Sequence, residues 1–326
     1  MKKTVSHILS AAFVLLLVTG CSSKNLEDGM IKIEGGQFVM GNDSIKLPWG
    51  FYSHKAHDVT LSDFYVAPCE VTQKSFEQIM GYNPSFYSGD GENKTTAAGE
   101  IPELRPVEKV TWYEAIVYCN KLSEKMGLTP VYSKRISSDA EDSSDTTSKN
   151  KDSDYSKDVS LWGECPSDKG QNDWNDIKWD RKANGYRLLT EAEWEYVCTG
   201  GMLSENFTSS GFNFSDSAVA NQYCWNANNS NLRTHQTGIL SPNELGVYDM
   251  AGNVWEWCWD WFDEDFYSTE AASEKNTAGP ETGEFRTLRG STWDDSETEL
   301  AAIARGSASP YIPSRRGGFR VARNIH

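Results

Sequence analysis

The side chains with the greatest chemical reach in this chain are its seven cysteines and five histidines, and neither type gathers. Cys21 aside, the cysteines are Cys69, Cys119, Cys165, Cys198, Cys224 and Cys258, with no CxxC and no cysteine–histidine spacing of the kind that holds zinc. An even number permits disulfides in an exported protein, but no pairing follows from the sequence. Cys119 and Cys198 fall on apolar helical faces, where a free thiol packs as a small hydrophobe. His54 and His57 stand three apart in loop-like text, as a surface pair would. The remaining arrangement is RTLRGSTWDDSETELAAIARGSASPYIPSRRGGFRVAR, residues 286–323. There Arg289-Gly290 and Gly318-Phe319-Arg320 bracket a stretch of small, polar and acidic residues with neither Cys nor His.

Short elements must position these residues. In EVTQKSFEQIMG, Thr72 caps a helix, Val71 and Phe76 sit at staple positions, and Gly81 closes it. In KVTWYEAIVYCNKLSEKMG, Thr111 and Glu114 form a capping box, and Trp112, Ala115, Ile116, Cys119 and Leu122 repeat at helical spacing. In RLLTEAEWEYVC, Thr190 and Glu193 repeat the box, with Leu189 and Trp194 as the staple. Glu191, Glu193 and Glu195 then read as cap and complement to the helix dipole, not as catalytic carboxylates. MIKIEGGQFVMG alternates around Gly35-Gly36, predicting a hairpin or bulge. Residues 133–180 are polar and charged, predicting a disordered or solvated insertion within one domain. Asp260, Asp263, Glu264 and Asp265 read as a solvated acidic face.

The N-terminus addresses the compartment. Lys2 and Lys3 precede an apolar run from Ile8 to Val18, then Thr19-Gly20-Cys21. This pattern reads as a secretory signal over 1–20 and resembles a bacterial lipobox, with Cys21 lipidated and 21–28 a linker. The apolar run falls short of the roughly 20 residues a membrane span needs. The expected location is exported, lipid-anchored to the bacterial outer membrane or cell surface. Residues 1–20 hold two lysines and no acids, so their removal takes the net charge from -16 to -18. Such a body argues against nucleic acid, which needs a basic stripe. It also argues against direct binding of anionic lipid, which leaves the lipid anchor as the membrane contact.

Seven blocks in order carry a resemblance: GGQFVMG (35–41), FYVAPCEVTQKSFEQ (64–78), RPVEKVTWYEAIVYCNKLS (105–123), GYRLLTEAEWEYV (185–197), LGVYDMAGNVWEWCWDW (245–261), LRGSTW (288–293) and GGFRVAR (317–323). The chain resembles the formylglycine-generating enzyme family, the sulfatase-modifying-factor domain, over 29–323. The resemblance implies one α+β domain over 29–326, of the C-type-lectin type, with few helices, short strands and much irregular loop. It also implies copper-dependent oxidation of a peptide cysteine by two cysteines in the segment after Arg-Gly. This chain has no cysteine after Cys258, and its carboxylates Asp294, Asp295, Glu297 and Glu299 cannot replace soft thiolates on copper(I). Formylglycine generation is therefore not expected. A sulfoxide-forming branch uses iron held by histidines of an added helical domain, for which there is no room here. The resemblance further implies a calcium site on the Asp249 and Glu256 side chains with the carbonyls of Gly252 and Val254, a hard-oxygen set on a turn that glycine permits. No other cofactor is required.

Some members of the family are the variable proteins of diversity-generating retroelements, in which a fixed lectin-type frame displays diversified residues near the C-terminus. The matching frame here is Arg289, Gly290, Trp293, Arg305, Pro310, Gly318, Phe319 and Arg320. Between these anchors the candidate ligand-binding residues are Thr292, Asp294, Asp295, Ser296, Thr298, Ile303, Gly306, Ser307, Ala308, Ser309, Tyr311, Ile312 and Ser314, with Tyr311 the rigid aromatic contact. Pro313, Glu297 and Glu299 depart from the usual pattern. The expected function is a surface-anchored binding module for a protein or other surface ligand, binding through about 292–317, either as a diversified protein or as a fixed lipoprotein of the same family. The alternatives are an enzyme of the sulfatase-modifying type and a structural partner in an envelope complex.

Overall fold

The computed structural model describes residues 26–27, 29–43, 52, 55–89, 97–136, 154–169, 172–201, 217–296 and 299–325. Its strands in chain order begin with β1 (Leu26–Glu27), β2 (Met30–Ile33), β3 (Gln37–Met40), β4 (His57–Thr60) and β5 (Phe64–Val66). Helices α1 (Gln73–Met80) and α2 (Trp112–Lys125) follow, then β6 (Tyr132–Arg135), β7 (Tyr155–Ser156), β8 (Ile177–Trp179) and β9 (Tyr186–Leu188). After α3 (Glu191–Cys198) and α4 (Ser217–Tyr223) come β10 (Trp255–Trp261), β11 (Arg286–Arg289), β12 (Arg305–Ala308), β13 (Gly317–Gly318) and β14 (Val321–Asn324). The long connections between these short strands give the expected α+β architecture with much irregular loop.

Two sheets organise the domain. One has the order β1-β2-β5-β14-β9, so the last strand lies in its interior, antiparallel to both neighbours. The other has the order β12-β11-β10-β13 and separates two cores. The alternation in WEWCWDW shows why, since successive side chains of a strand face opposite ways. Trp255 and Trp257 pack with Phe76, Trp112, Ile116 and Phe319 in one core. Cys258 packs with Trp194, Val197 and Met250 in the other.

The three helix starts form by local chemistry. Thr72 accepts a hydrogen bond from the Ser75 amide at 3.2 Å, and Gly81 closes α1 at φ 87°. Both capping boxes are complete, Thr111 with Glu114 and Thr190 with Glu193. Each cap satisfies amides that would otherwise be orphaned and contributes about 1 kcal/mol. Among the described residues no helix is long and apolar enough to cross a membrane.

Four expectations change. Gly35-Gly36 turns no hairpin: β2 pairs with β5 while β3 pairs with β4, so the chain passes between sheets there. Gly35 lies against the backbone of the connection between β4 and β5, where a Cβ would sit 2.3 Å from the Leu61 carbonyl oxygen. The insertion at 133–180 is structured at both ends, for β6, β7 and β8 form a three-stranded sheet that buries Trp162 and Trp174. Residues 137–153 lie outside the described set. Asp260 is fully buried, whereas Asp263, Glu264 and Asp265 are exposed as expected. Glu191 and Glu195 are buried too, and their partners are arginines rather than the helix terminus.

Candidate functional site

The segment after β11 opens with two residues in the left-handed region, Gly290 at φ 102° and Ser291 at φ 62°. Its next turn is closed by its own acids. Asp295 accepts from the Thr292 amide at 2.8 Å and from its hydroxyl at 3.0 Å. The Glu299 carboxylate accepts from the Ser296 amide at 2.6 Å and hydroxyl at 2.7 Å. The Ser230 hydroxyl donates to the Trp293 carbonyl, and the Trp293 amide to that of Asn253, so the turn is fastened to the domain. Arg316 closes over it, 2.5 Å from Asp294 and 3.6 Å from Asp295. Burial pushes the Asp295 carboxyl up to about 6, against the pull of Arg316 and Thr292.

Three arginines hold the frame. In the β11–β12 ladder Arg289 faces Arg305, a like-charge pairing that alone would repel. Both converge on Glu191: its Oε1 accepts from Arg289 Nη1 and Arg305 Nε, each at 2.7 Å, and its Oε2 from Arg305 Nη2 at 3.0 Å. Arg289 also donates to Glu195 at 2.6 Å and to the Ala302 carbonyl. Burial works against the Arg289 charge, and Glu195 and Glu191 outweigh it, so the guanidinium stays above its ordinary value. Arg320 forms a fork on Glu256 and donates to the carbonyls of Ala67, Pro68 and Tyr248. These bonds join both ends of the 289–320 segment to α3, β10 and the residues before α1.

The candidate residues divide by exposure. Thr292, Asp295 and Ile303 are buried and belong to the frame. Asp294, Ser296, Gly306, Ser307, Ala308, Ser309 and Tyr311 are half-buried, and Ile312 (51 % exposed) and Ser314 are exposed. Thr298 lies outside the described residues, as do Cys21, His54 and the whole of 1–25. Gly306, Ser307 and Ala308 lie on β12, which ends the sheet order. The loop beyond is tied to the start of α2: the Pro310 carbonyl accepts from the Trp112 amide at 3.0 Å, and that of Ser314 from Lys109 at 2.8 Å. Tyr311 packs at the margin of the first core and lines a small pocket with Tyr113, Lys169 and Glu284.

The residues expected to hold calcium are buried. Asp249 accepts from the Gly238 amide at 2.7 Å through Oδ2, while its buried Oδ1 has no partner. Burial pushes its carboxyl up to about 6. Burial, with Asp249 and Glu256 alongside, also raises Glu70 well above the carboxylate range. A cation would relieve that crowding, and the unpartnered Asp249 Oδ1 suits a hard ion, whereas both Glu70 oxygens accept hydrogen bonds, from the Asn253 side chain at 2.9 Å and the Val254 amide at 3.3 Å. Glu256 is committed elsewhere, to Arg320 and to the Trp194 indole at 2.9 Å. Gly252 sits at φ 76° with no room for a Cβ, which would lie 2.0 Å from the Trp225 carbonyl oxygen. That explains the glycine by close approach, independently of any ion.

The six described cysteines are free thiols, and burial raises every one above its ordinary value, Cys165 and Cys224 to about 12.

The model of the sulfatase-modifying factor enzyme 1-like domain matches residues 18–325. The chain belongs to this family. The sulfatase-modifying-factor domain therefore spans both sheets and the frame, with the C-type-lectin-like fold of the formylglycine-generating type. The chain is similar to the chaperone protein LppX of Paenibacillus barcinonensis, 35% identical over 345 residues, 99% of this chain and 100% of the relative. The structure is similar to that of Treponema denticola variable protein 1, with a TM-score of 0.73 and 32% identity over 91% of this chain and 95% of that one. The formylglycine-generating enzyme of Streptomyces coelicolor is 34% identical over 160 residues, 46% of this chain and 50% of the enzyme.

Proposed function

We propose that this family member is an exported, lipid-anchored binding protein that displays residues of 292–314 on a rigid frame and does not generate formylglycine. One observation carries the reading: Arg289, Arg305 and Arg320 are each buried and spent on carboxylates, while the residues between them include a half-exposed, chemically mild set. An arginine already neutralised by the fold is not available to an anionic substrate. The segment holds no thiol, and burial raises the described thiols above their ordinary value, which disfavours a thiolate nucleophile. Two relatives matched nearly end to end at more than 30% identity are named a chaperone and a variable protein, which accords with binding. The lipobox-like Thr19-Gly20-Cys21 supports attachment through lipid, with a protein or other surface ligand as partner. Calcium is proposed as a structural ion at Asp249.

Two measurements test this. Incubation with a cysteine-containing sulfatase peptide and copper(I) is expected to yield no aldehyde, and turnover overturns the non-catalytic reading. Reading the locus across isolates is expected to show substitutions gathered within 292–317 while Glu191, Arg289, Arg305 and Arg320 stay fixed. Uniform sequences, or substitutions spread evenly over the surface, remove the variable-display reading.

A further inference from the structure

The tryptophan stripe of β10 leads to a second place. Trp257 lies opposite Leu288 and Trp261 opposite Arg286, so β10 takes four steps where β11 takes two. Extra residues in one strand bend it and re-aim its side chains. Trp255 and Trp257 stay in the core, whereas Trp259 and Trp261 line a groove of about 1080 Å³. One wall is β8 with Lys178 and Trp179, at the structured end of the insertion, continued by Arg181, and the other is the 269–281 segment. No residue of 292–314 lines it.

Arg286 also lines this groove and is unlike the frame arginines. It is 1 % exposed, and its guanidinium carbon lies 3.4 Å from the centre of the Trp261 ring and 3.6 Å from that of Trp112. Nη1 donates to the Trp259 carbonyl, and the buried Nε has no partner. Among the described residues no carboxylate forms an ion pair with it. Burial, the largest influence, lowers its pKa to about 9, which leaves it charged at neutral pH. Asp260 acts on it from beyond ion-pair distance, and a buried guanidinium without a paired carboxylate is costly to maintain. Around it the groove carries Lys178, Arg181 and Lys275 against Glu274 and Glu281, a basic balance on a chain of net charge -16. Such a cleft concentrates anions.

We propose that the groove binds a ring compound bearing a carboxylate or sulfate, the anionic group on Arg286 and the ring against the half-buried indoles of Trp179 and Trp259. Guanidinium recognises such groups by charge-assisted hydrogen bonds, and indole faces take up flat or sugar rings by stacking contact. The volume exceeds that of an ordinary single-ligand pocket, so an occupant of two or more rings fits. Acidic saccharides and aromatic acids share this chemistry.

The full chain is titrated with digalacturonate, with its uncharged counterpart digalactose and with indole-3-acetate, by tryptophan fluorescence and calorimetry. At least one acidic probe is expected to bind, with digalactose at least tenfold weaker than digalacturonate if the saccharide is the binder. Binding of digalacturonate alone identifies a sugar acid and of indole-3-acetate alone an aromatic acid. Arg286→Met is expected to abolish acidic binding. If that variant does not fold, Trp179→Ala on the groove wall decides, with an expected loss of tenfold or more. No binding of either acid at millimolar concentration, equal binding of charged and uncharged saccharides, or unchanged affinity in Trp179→Ala overturns the proposal.

Discussion

Replacing Glu191 by glutamine removes the charge on which two frame arginines converge. The carboxylate accepts four bonds: Arg289 Nη1 and Arg305 Nε at 2.7 Å, Arg305 Nη2 at 3.0 Å and the Tyr267 hydroxyl at 2.9 Å. In Glu191→Gln, Arg289 keeps the Glu195 carboxylate, but Arg305 loses its carboxylate and keeps neutral contacts, among them the Asp263 carbonyl at 3.3 Å and the Phe262 and Tyr267 rings. A charge left buried without its partner costs about 3–5 kcal/mol. Part is returned, because the Glu191 charge also presses on Asp260. The expected loss is therefore about 3 kcal/mol, or roughly 5 °C in melting temperature for a domain of this size. Urea denaturation at pH 7 measures it, with the slope of the transition unchanged if only stability moves. Adding Arg305→Met is expected to recover part of the loss, since an apolar replacement of a buried pair can be nearly neutral. As a control, Glu284→Gln breaks only the exposed pair with Lys169 and is expected to leave the transition where it is. A Glu191→Gln midpoint indistinguishable from that control would refute the frame as described.

Asp260 gives a prediction in pH. Burial is the largest cause and the Glu191 charge the next, and together they push its carboxyl up to about 8 from 3.8. The folded chain keeps a proton that the unfolded chain releases, so this group lowers stability as pH rises from about 4 to 8, by at most about 1.4 kcal/mol per unit. The stability of Asp260→Asn relative to wild type is expected to climb over that window and level off above it; parallel profiles contradict the burial argument. Gly252→Ala is expected to cost at least 1–3 kcal/mol from overpacking against the Trp225 carbonyl, and a melting temperature equal to wild type would mean that the turn relaxes freely. Calcium is expected to raise the melting temperature of the wild type and not that of Asp249→Asn, as chelator titrations in a thermal scan would show; an equal response in both places the ion elsewhere.

The helix starts were legible because a cap is local: Thr111 and Glu114, or Thr190 and Glu193, meet within one turn. The frame arginines were legible from their order along the chain. Their partners were not, since Glu191 stands 98 residues from Arg289 and 114 from Arg305, and no short-range pattern joins them. Glu191 and Glu195 looked like dipole complement because a first-turn carboxylate is usually exposed, and only the packed sheet reveals that these face inward. Asp260 was misjudged by its acidic neighbours. Its strand periodicity held the correct signal, for Glu256, Cys258 and Asp260 share the face opposite the four tryptophans of 255–261. The same alternation, read onward, points to the groove that the C-terminal segment alone never suggested. In the insertion the polar composition outweighed the contrary signal of Trp162, Trp174 and Trp179.

The interior place of β14 sets a condition on how the C-terminal segment can change. Val321–Asn324 joins β5 to β9, and it is encoded after every residue of the display region. A base inserted or lost within 292–317 shifts the frame before Phe319, Arg320 and β14, and removes the strand that holds the first sheet together. Such a chain cannot fold around its N-terminal half. Any change within 292–317 is thus screened by folding itself, and only products that preserve the reading frame complete the first sheet.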